Sequence, residues 1–408
     1  MKYELIMFNM SAYREWEQGV ANRNYYFFRY FLRQKNIKRI ILVDFLPLTF
    51  KRALRNYGEN ILSSRKGELV YRDLTTRCVR RESQGREFYV FSTIDSIFSS
   101  QKLPTKKSKL ASSSRIIKKM NKIFEKKPEN LRIIYSCFPL FLDYFDGLKK
   151  DLTIFDAIDN WLEHSSWRKQ KDVLGQNYQF LSQHSDLIFT VSPNLIDFFQ
   201  SQGRKKDLHW IANGVDTDLF SPDKKAEKDL FRDLPRPIIG YLGTIENRFN
   251  LKLFKSWIEK NPKKSFVLVG PIWNKKIKQE LKSFSNVYLW GRIPHQQAPA
   301  YINSFDLAFI PHKLNSFVRS TYSLKLLEYL ACGKPVLTTP TPETSEFQDL
   351  IYLAGDSQQF QKKMLLALKE SDPSLVLARR NRVKKKSWAA QGDKMMQIIE
   401  KKIKEKIN

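Results

Sequence analysis

Residues 320–339 read STYSLKLLEYLACGKPVLTT. The pattern is a short helix that begins near Ser323, is stopped by Gly333, and is followed at once by the extended run Pro335-Val336-Leu337-Thr338-Thr339. At about 100° per residue, Leu324, Leu326, Leu327, Leu330 and Ala331 share one arc of that helix. Lys325, Glu328 and Cys332 share the other, expected to be an exposed face. Lys325 also falls in the first turn, where the positive end of the helix dipole disfavours a cation unless an anion binds there. Two readings stand side by side: a surface Lys–Glu pair at i, i+3, worth roughly a few tenths of a kcal/mol, or an anion site.

A helix running directly into a strand belongs to a parallel sheet, and the same alternation recurs along the chain. PIIGYLG at 237–243 opens a series continued by SFVLVG, NVYLWG and DLAFIP, with helical stretches between. Upstream, ELIMF at 4–8 and KRIILVD at 38–44 bracket the aromatic NRNYYFFRYFLRQ, and LRIIYS, LTIFDAID, DLIFTVS and DLHWIA follow. The expected architecture is α/β, with two successive doubly wound domains that place ligands at the carboxyl ends of their strands. The boundaries read 1–220, 221–375 and a basic helical segment at 376–408 expected to pack back towards the N-terminal domain, with 217–237 as a polar linker. Between 69 and 92 only ELVYRD and REFYVFS read as β-like, separated by charged turns.

With 408 residues and 42% hydrophobic content the chain can bury two or three cores. No run is apolar enough to span a bilayer and the start lacks a cleavage pattern, so a cytoplasmic protein is expected. Three dispersed cysteines and five histidines give no disulfide framework and no ligand pair, so neither a metal nor another cofactor is expected. The net charge of +29 demands an anionic partner: nucleic acid, an anionic membrane face, or a phosphorylated substrate. Residues 101–128 are the most basic, and place Ile116, Ile117, Met120, Ile123 and Phe124 on one helical face with Lys118, Lys119, Lys122 and Lys126 around it. That helix either lies on an anionic leaflet or packs its apolar face on its own domain.

Two acids, Asp156 and Asp159, end the strand in TIFDAIDNW. Asp159, at the carboxyl end, is the better candidate for a general base, and helix capping is its structural alternative. The first loop, 9–23, carries Trp16, Gly19 and Arg23 where a dinucleotide fold would carry GxGxxG, which disfavours an NAD enzyme.

TVSPNL, NGVD..LF, GYLGTI and SLKLLEYLACGKPVLTT, in this order, resemble the GT-B glycosyltransferases of the family-4 or group-1 type, over nearly the whole chain. WEQGVANR, FDAIDNW and the Ser-Leu-Lys form of the last motif are most similar to transferases of teichuronic-acid and exopolysaccharide synthesis. The resemblance implies two Rossmann-like domains facing a central cleft and a nucleotide-sugar donor, UDP-linked as a first expectation. By position, Glu328 would take the ribose hydroxyls, Lys325 with the amides around Ser323 and Leu324 the diphosphate, and Arg292 and Ile293 the base. Gly243, Thr244 and Arg248 would lie near phosphate or sugar, Arg248 otherwise being a solvated charge. Asp159 would take a proton from the acceptor, a lipid-linked glycan near Trp16 and Arg23, two residues that otherwise pack and pair. Membrane-associated transfer at the inner face of the cell membrane, without a metal, is the function implied. A non-catalytic nucleotide-sugar binder or epimerase is the alternative. Nucleic acid is disfavoured, since no recognition motif accompanies the charge. Enzymes of the resembled group often carry a glutamate eight positions before the one at Glu328; here that position is Ser320, which leaves retaining and inverting chemistry both open.

Overall fold

The computed structural model describes residues 1–44, 51, 53–55, 57–58, 66–95, 106–224 and 230–407. Part of the expected linker, 225–229, and the start of the basic segment, 101–105, lie outside the described residues. The chain divides into two units, Met1–Ile211 with Gly392–Asn408, and Ala212–Gln391.

The first unit is built on a nine-stranded sheet. Its strands are β1 (Tyr3–Phe8), β2 (Ile37–Val43), β3 (Glu68–Arg72), β4 (Thr76–Ser83), β5 (Arg86–Thr93), β6 (Leu131–Ser136), β7 (Leu152–Ala157), β8 (Leu187–Thr190) and β9 (Leu208–Trp210), in the order β3-β4-β5-β2-β1-β6-β7-β8-β9. From β5 to β9 all pairings are parallel, and β1 and β7 are buried at every position, as continuous apolar runs between two helix layers must be. The charged stretch TRCVRRES, expected as a turn, is strand β4. It pairs antiparallel with β5 through a two-residue Gln84-Gly85 turn, with Cys78 and Val79 turned inward.

Within this unit the aromatic helix Arg23–Arg33 starts at Asn22, whose Oδ1 accepts from the Tyr25 amide at 3.0 Å. Arg23 is 4% exposed and bonds Asp156 through Nε at 2.7 Å and a terminal nitrogen at 2.8 Å. The Tyr135 hydroxyl donates to the same carboxylate. Trp16 is 5% exposed, stacked on Phe28 and edge-on to Tyr13 and Tyr25. Both residues thus pack and pair inside the unit, the alternative that the sequence also leaves for them.

The basic helix Lys106–Ile123 also turns inward. Ile116, Met120 and Phe124 are fully buried, Phe124 against Tyr89 and Phe91. Lys119 bonds Asp95 at 2.7 Å and Asp73 at 2.8 Å. The apolar face is thus core rather than a leaflet anchor, while Lys118 and Lys122 remain exposed.

The second unit is a six-stranded, wholly parallel sheet of β10 (Ile238–Leu242), β11 (Ser265–Val269), β12 (Val287–Gly291), β13 (Leu307–Ile310), β14 (Val336–Thr338) and β15 (Tyr352–Leu353), in the order β12-β11-β10-β13-β14-β15. Phe254, Phe266 and Phe309 fill its core, the Phe254 and Phe309 rings stacked 5.2 Å apart. The C-terminal basic segment is shared. Pro373–Lys384 belongs to this unit, whereas Gly392 packs on the Tyr30 ring and Lys402 and Lys406 pair with Asp207 and Asp186 of the first.

Removing Asp156 strands a buried guanidinium. Asp156→Ala is expected to lower stability by about 3–5 kcal/mol, read from urea unfolding, with a smaller loss when Arg23→Met is added.

Candidate functional site

In the second sheet the winding reverses between β10 and β13, which is where doubly wound sheets open a crevice. β10 runs into Gly243 and β13 into Pro311 and His312. Gly243 has φ +139°, and a Cβ there would lie 2.1 Å from Lys325 Cε. The absence of a side chain is thus what lets the Lys325 stem lie across the strand end. A Cβ on the neighbouring Gly270 would in turn meet the Gly243 carbonyl oxygen at 2.2 Å.

The helix carrying Lys325 is Leu324–Ala331, capped by Ser323, whose Oγ accepts from the Leu326 amide at 3.4 Å. Tyr329 locks it to β10: its hydroxyl accepts from Leu242 N–H at 2.7 Å and donates to the Leu242 carbonyl at 3.3 Å. The loop before it is held by Asn213, which donates to the Tyr322 carbonyl at 2.7 Å.

The face expected to be exposed is not. Glu328 is 9% exposed and Cys332 3%. The surface ion pair is not formed either. Among the described residues no hydrogen bond or ion pair takes the Glu328 carboxylate or the Lys325 ammonium, which lies 5.5 Å from the Tyr241 ring centre. Burial holds Lys325 down to about 8, assisted by Arg248 and opposed by Glu328 and Glu246. Burial likewise pushes Glu328 up to about 7 against the pull of Lys325. Lys325, half-buried, and Glu328, buried, are opposite charges without a hydrogen bond or ion pair among the described residues, an arrangement that can meet a ligand with both anionic and hydroxyl groups.

Around them, Arg248 is tied to Glu246 at 2.6 Å rather than left solvated. Thr244 is half-buried and accepts from the Tyr241 hydroxyl at 3.0 Å through its carbonyl. Arg292 is exposed and Ile293 half-buried, just beyond β12, and Leu324 is half-buried at the first helical position. Two groups escaped the reading of the sequence. Glu343, after β14, is 5% exposed with Oε2 unpartnered; burial pushes it up to about 7 against the amides of Glu343 and Ser323 and the Thr341 hydroxyl. His312 is 4% exposed, and its Nε2 has no partner among the described residues. The strand pattern DLAFIP ended the reading one residue short of it. Ser320 is buried, with its hydroxyl on the Ser316 carbonyl at 3.2 Å.

In the first unit Asp159 is half-buried two residues past β7, and its carbonyl accepts from the Tyr178 hydroxyl at 2.9 Å. The next helical turn, Ser165–Gln170, is capped by His164. Asp156, held by Arg23 and Tyr135, is the more enclosed of the two acids.

Residues 236–370 match the family model for Glycosyl transferases group 1. The matched stretch lies within the second unit. A Bacillus subtilis (strain 168) protein, provisionally named teichuronic acid biosynthesis glycosyltransferase TuaH, is 30% identical over 234 residues, 54% of this chain and 58% of its own length. The chain thus aligns with little more than half of that relative. Among solved structures, a trehalose 6-phosphate synthase from Burkholderia multivorans superposes with a TM-score of 0.69 at 11% identity, covering 98% of this chain and 99% of that one. Anabaena Alr3699/HepE, solved with UDP and glucose, gives 0.64 at 12%, covering 97% and 99%. The fold is GT-B, as the strand–helix alternation and the ordered motifs imply.

A site that stores unpaired charge weakens its own fold. The unfolded Glu328 carboxyl, ordinarily at 4.5, binds fewer protons than the folded one between there and about 7, so its contribution to stability falls as pH rises through that window. Lys325 acts in the opposite sense, and its contribution recovers from about 8 up to 10.5. Glu328→Gln is therefore expected to raise the unfolding temperature at pH 7–8 and to leave it nearly unchanged near pH 4, measured by calorimetry.

Proposed function

We propose that the protein transfers a sugar from a nucleotide-sugar donor to a glycan acceptor. The observation that carries this reading is the unpaired Lys325–Glu328 couple at the start of a helix beside the sheet's switch point. Glu328 accepts from the two ribose hydroxyls. Lys325 and the amides of Ser323 and Leu324 hold the diphosphate, Arg248 adds charge near it, and the backbone at Arg292 and Ile293 meets the base. Gly243 and Thr244 line the approach to phosphate and sugar. As the sugar leaves, negative charge grows on the diphosphate, and the fixed ammonium and helix dipole stabilise it without reorganisation. A UDP-linked donor is favoured, in keeping with the UDP in the HepE structure.

Asp159 of the first unit serves as the base that takes the acceptor hydroxyl's proton; its place just past a strand end supports it. The acceptor is a lipid-linked or growing glycan of cell-surface polysaccharide, a reading supported by the name of the B. subtilis relative. The net charge of +29, with Lys118 and Lys122 exposed, favours a protein held electrostatically at the inner membrane face. No described helix is long and apolar enough to cross a membrane.

Thermal stabilisation across a panel of nucleotide sugars is expected to single out a UDP-sugar, since a ligand at a hundred times its dissociation constant contributes about 2.7 kcal/mol. Lys325→Ala and Glu328→Ala are each expected to abolish that shift; stabilisation unaltered in both overturns the donor site. Asp159→Asn is expected to lower turnover about 10²–10⁴-fold with donor binding retained, and transfer is expected to persist in EDTA. Nucleotide binding with neither transfer nor donor hydrolysis would favour the non-catalytic binder instead.

A further inference from the structure

His312 sits two residues past β13, on the opposite side of the switch point from Gly243. Its backbone is fixed on both flanks. It bridges Phe249, its carbonyl accepts from the Thr339 hydroxyl at 2.9 Å, and the Lys313 amide bonds the Arg248 carbonyl at 2.8 Å. The ring is 4% exposed, yet Nε2 meets no partner among the described residues. A buried ring nitrogen left unbonded is costly, and a water or a ligand group completes it.

The charged groups that act on this ring are Lys325, from the Leu324–Ala331 helix, and Arg248, from the loop after β10; both are cations. Burial and these two cations hold the imidazole well below its ordinary pKa, so at neutral pH it is uncharged and carries a single ring N–H. Glu246 is engaged by Arg248, and Glu328 acts on Lys325. A metal ion would be repelled from this corner, whereas a phosphate would meet two cations and one neutral donor.

We propose that His312 is a binding residue for the donor's diphosphate, donating its Nε2–H to a phosphate oxygen beside Lys325 and Arg248. This rests on the nucleotide-sugar reading of the site. It assigns His312 to the phosphates and not to the nucleoside, and that distinction is measurable.

Calorimetric titrations of UDP, GDP and ADP, each paired with its nucleoside, into the full chain and its His312→Leu and His312→Gln forms provide the test. For the diphosphate that binds, His312→Leu is expected to weaken affinity about 10- to 100-fold, the range for a hydrogen bond to a charged partner. The matching nucleoside should bind as before. His312→Gln, whose amide nitrogen reaches a similar place, should restore affinity to within about threefold. Should the leucine form fail to fold, His312→Asn, whose shorter amide falls short, supplies the same contrast with glutamine. Equal losses for nucleoside and diphosphate, or no loss for either, overturn the role of His312 while leaving the donor site intact. Failure of every nucleotide to bind the unaltered protein overturns the nucleotide-sugar reading and this inference with it.

Discussion

The site depends on the contact between the Lys325 stem and the backbone of Gly243. It brings the lysine across the end of β10 as closely as only a residue without a Cβ permits, with Cε 2.1 Å and the ammonium nitrogen 3.1 Å from where that Cβ would stand. Several neighbouring features maintain that closeness. Tyr329 bonds both backbone groups of Leu242, Asn213 holds the loop entering the helix, and Gly270 lets the next strand end lie directly against Gly243. The helix therefore cannot swing away to solvate its charges. Lys325 and Glu328 are left close to water but not in it, which is the electrostatic condition a binding site needs and a stable core avoids.

Two clusters of buried charge, one in each unit, behave in opposite ways. In the first, Arg23 and Asp156 satisfy each other with two hydrogen bonds and Tyr135 adds a third, so the network holds the aromatic helix to the sheet. In the second, Lys325, Glu328, His312 and Glu343 keep atoms or whole groups unpartnered around one helix start. Burial alone does not separate these cases. What separates them is whether the polar atoms find partners in the chain, since a satisfied network rigidifies and an unsatisfied one waits for a ligand.

Much of the fold was legible in the sequence. Continuous apolar runs such as ELIMF and SFVLV can only be two-faced buried strands, and their alternation with helical stretches leaves few topologies besides the doubly wound ones. Strand β4 was hidden because half of its side chains are charged; it lies second from the sheet edge, between β3 and β5, and backbone pairing on both sides does not require an apolar pattern. The basic helix Lys106–Ile123 shows the converse. Its amphipathic pattern is the same for a leaflet and for a core, and packing against Tyr89 and Phe91 decided between them.

For the site, the sequence by itself determined which residues lie at strand ends and helix starts: Gly243, Ser323, Lys325, Glu328 and Asp159 are all placed there by local pattern. Only the tertiary structure decided what those positions mean. Helical periodicity put Lys325 and Glu328 on one face and could not say whether that face meets water, because exposure is set by what packs above it. Trp16 and Arg23 carry no sign in the sequence of their long-range partners, Phe28 and Asp156, which only folding brings to them. His312 carries no local signal at all. Its significance arises from Lys325 and Arg248, which approach it from two other segments of the chain and whose fields act only across folded space.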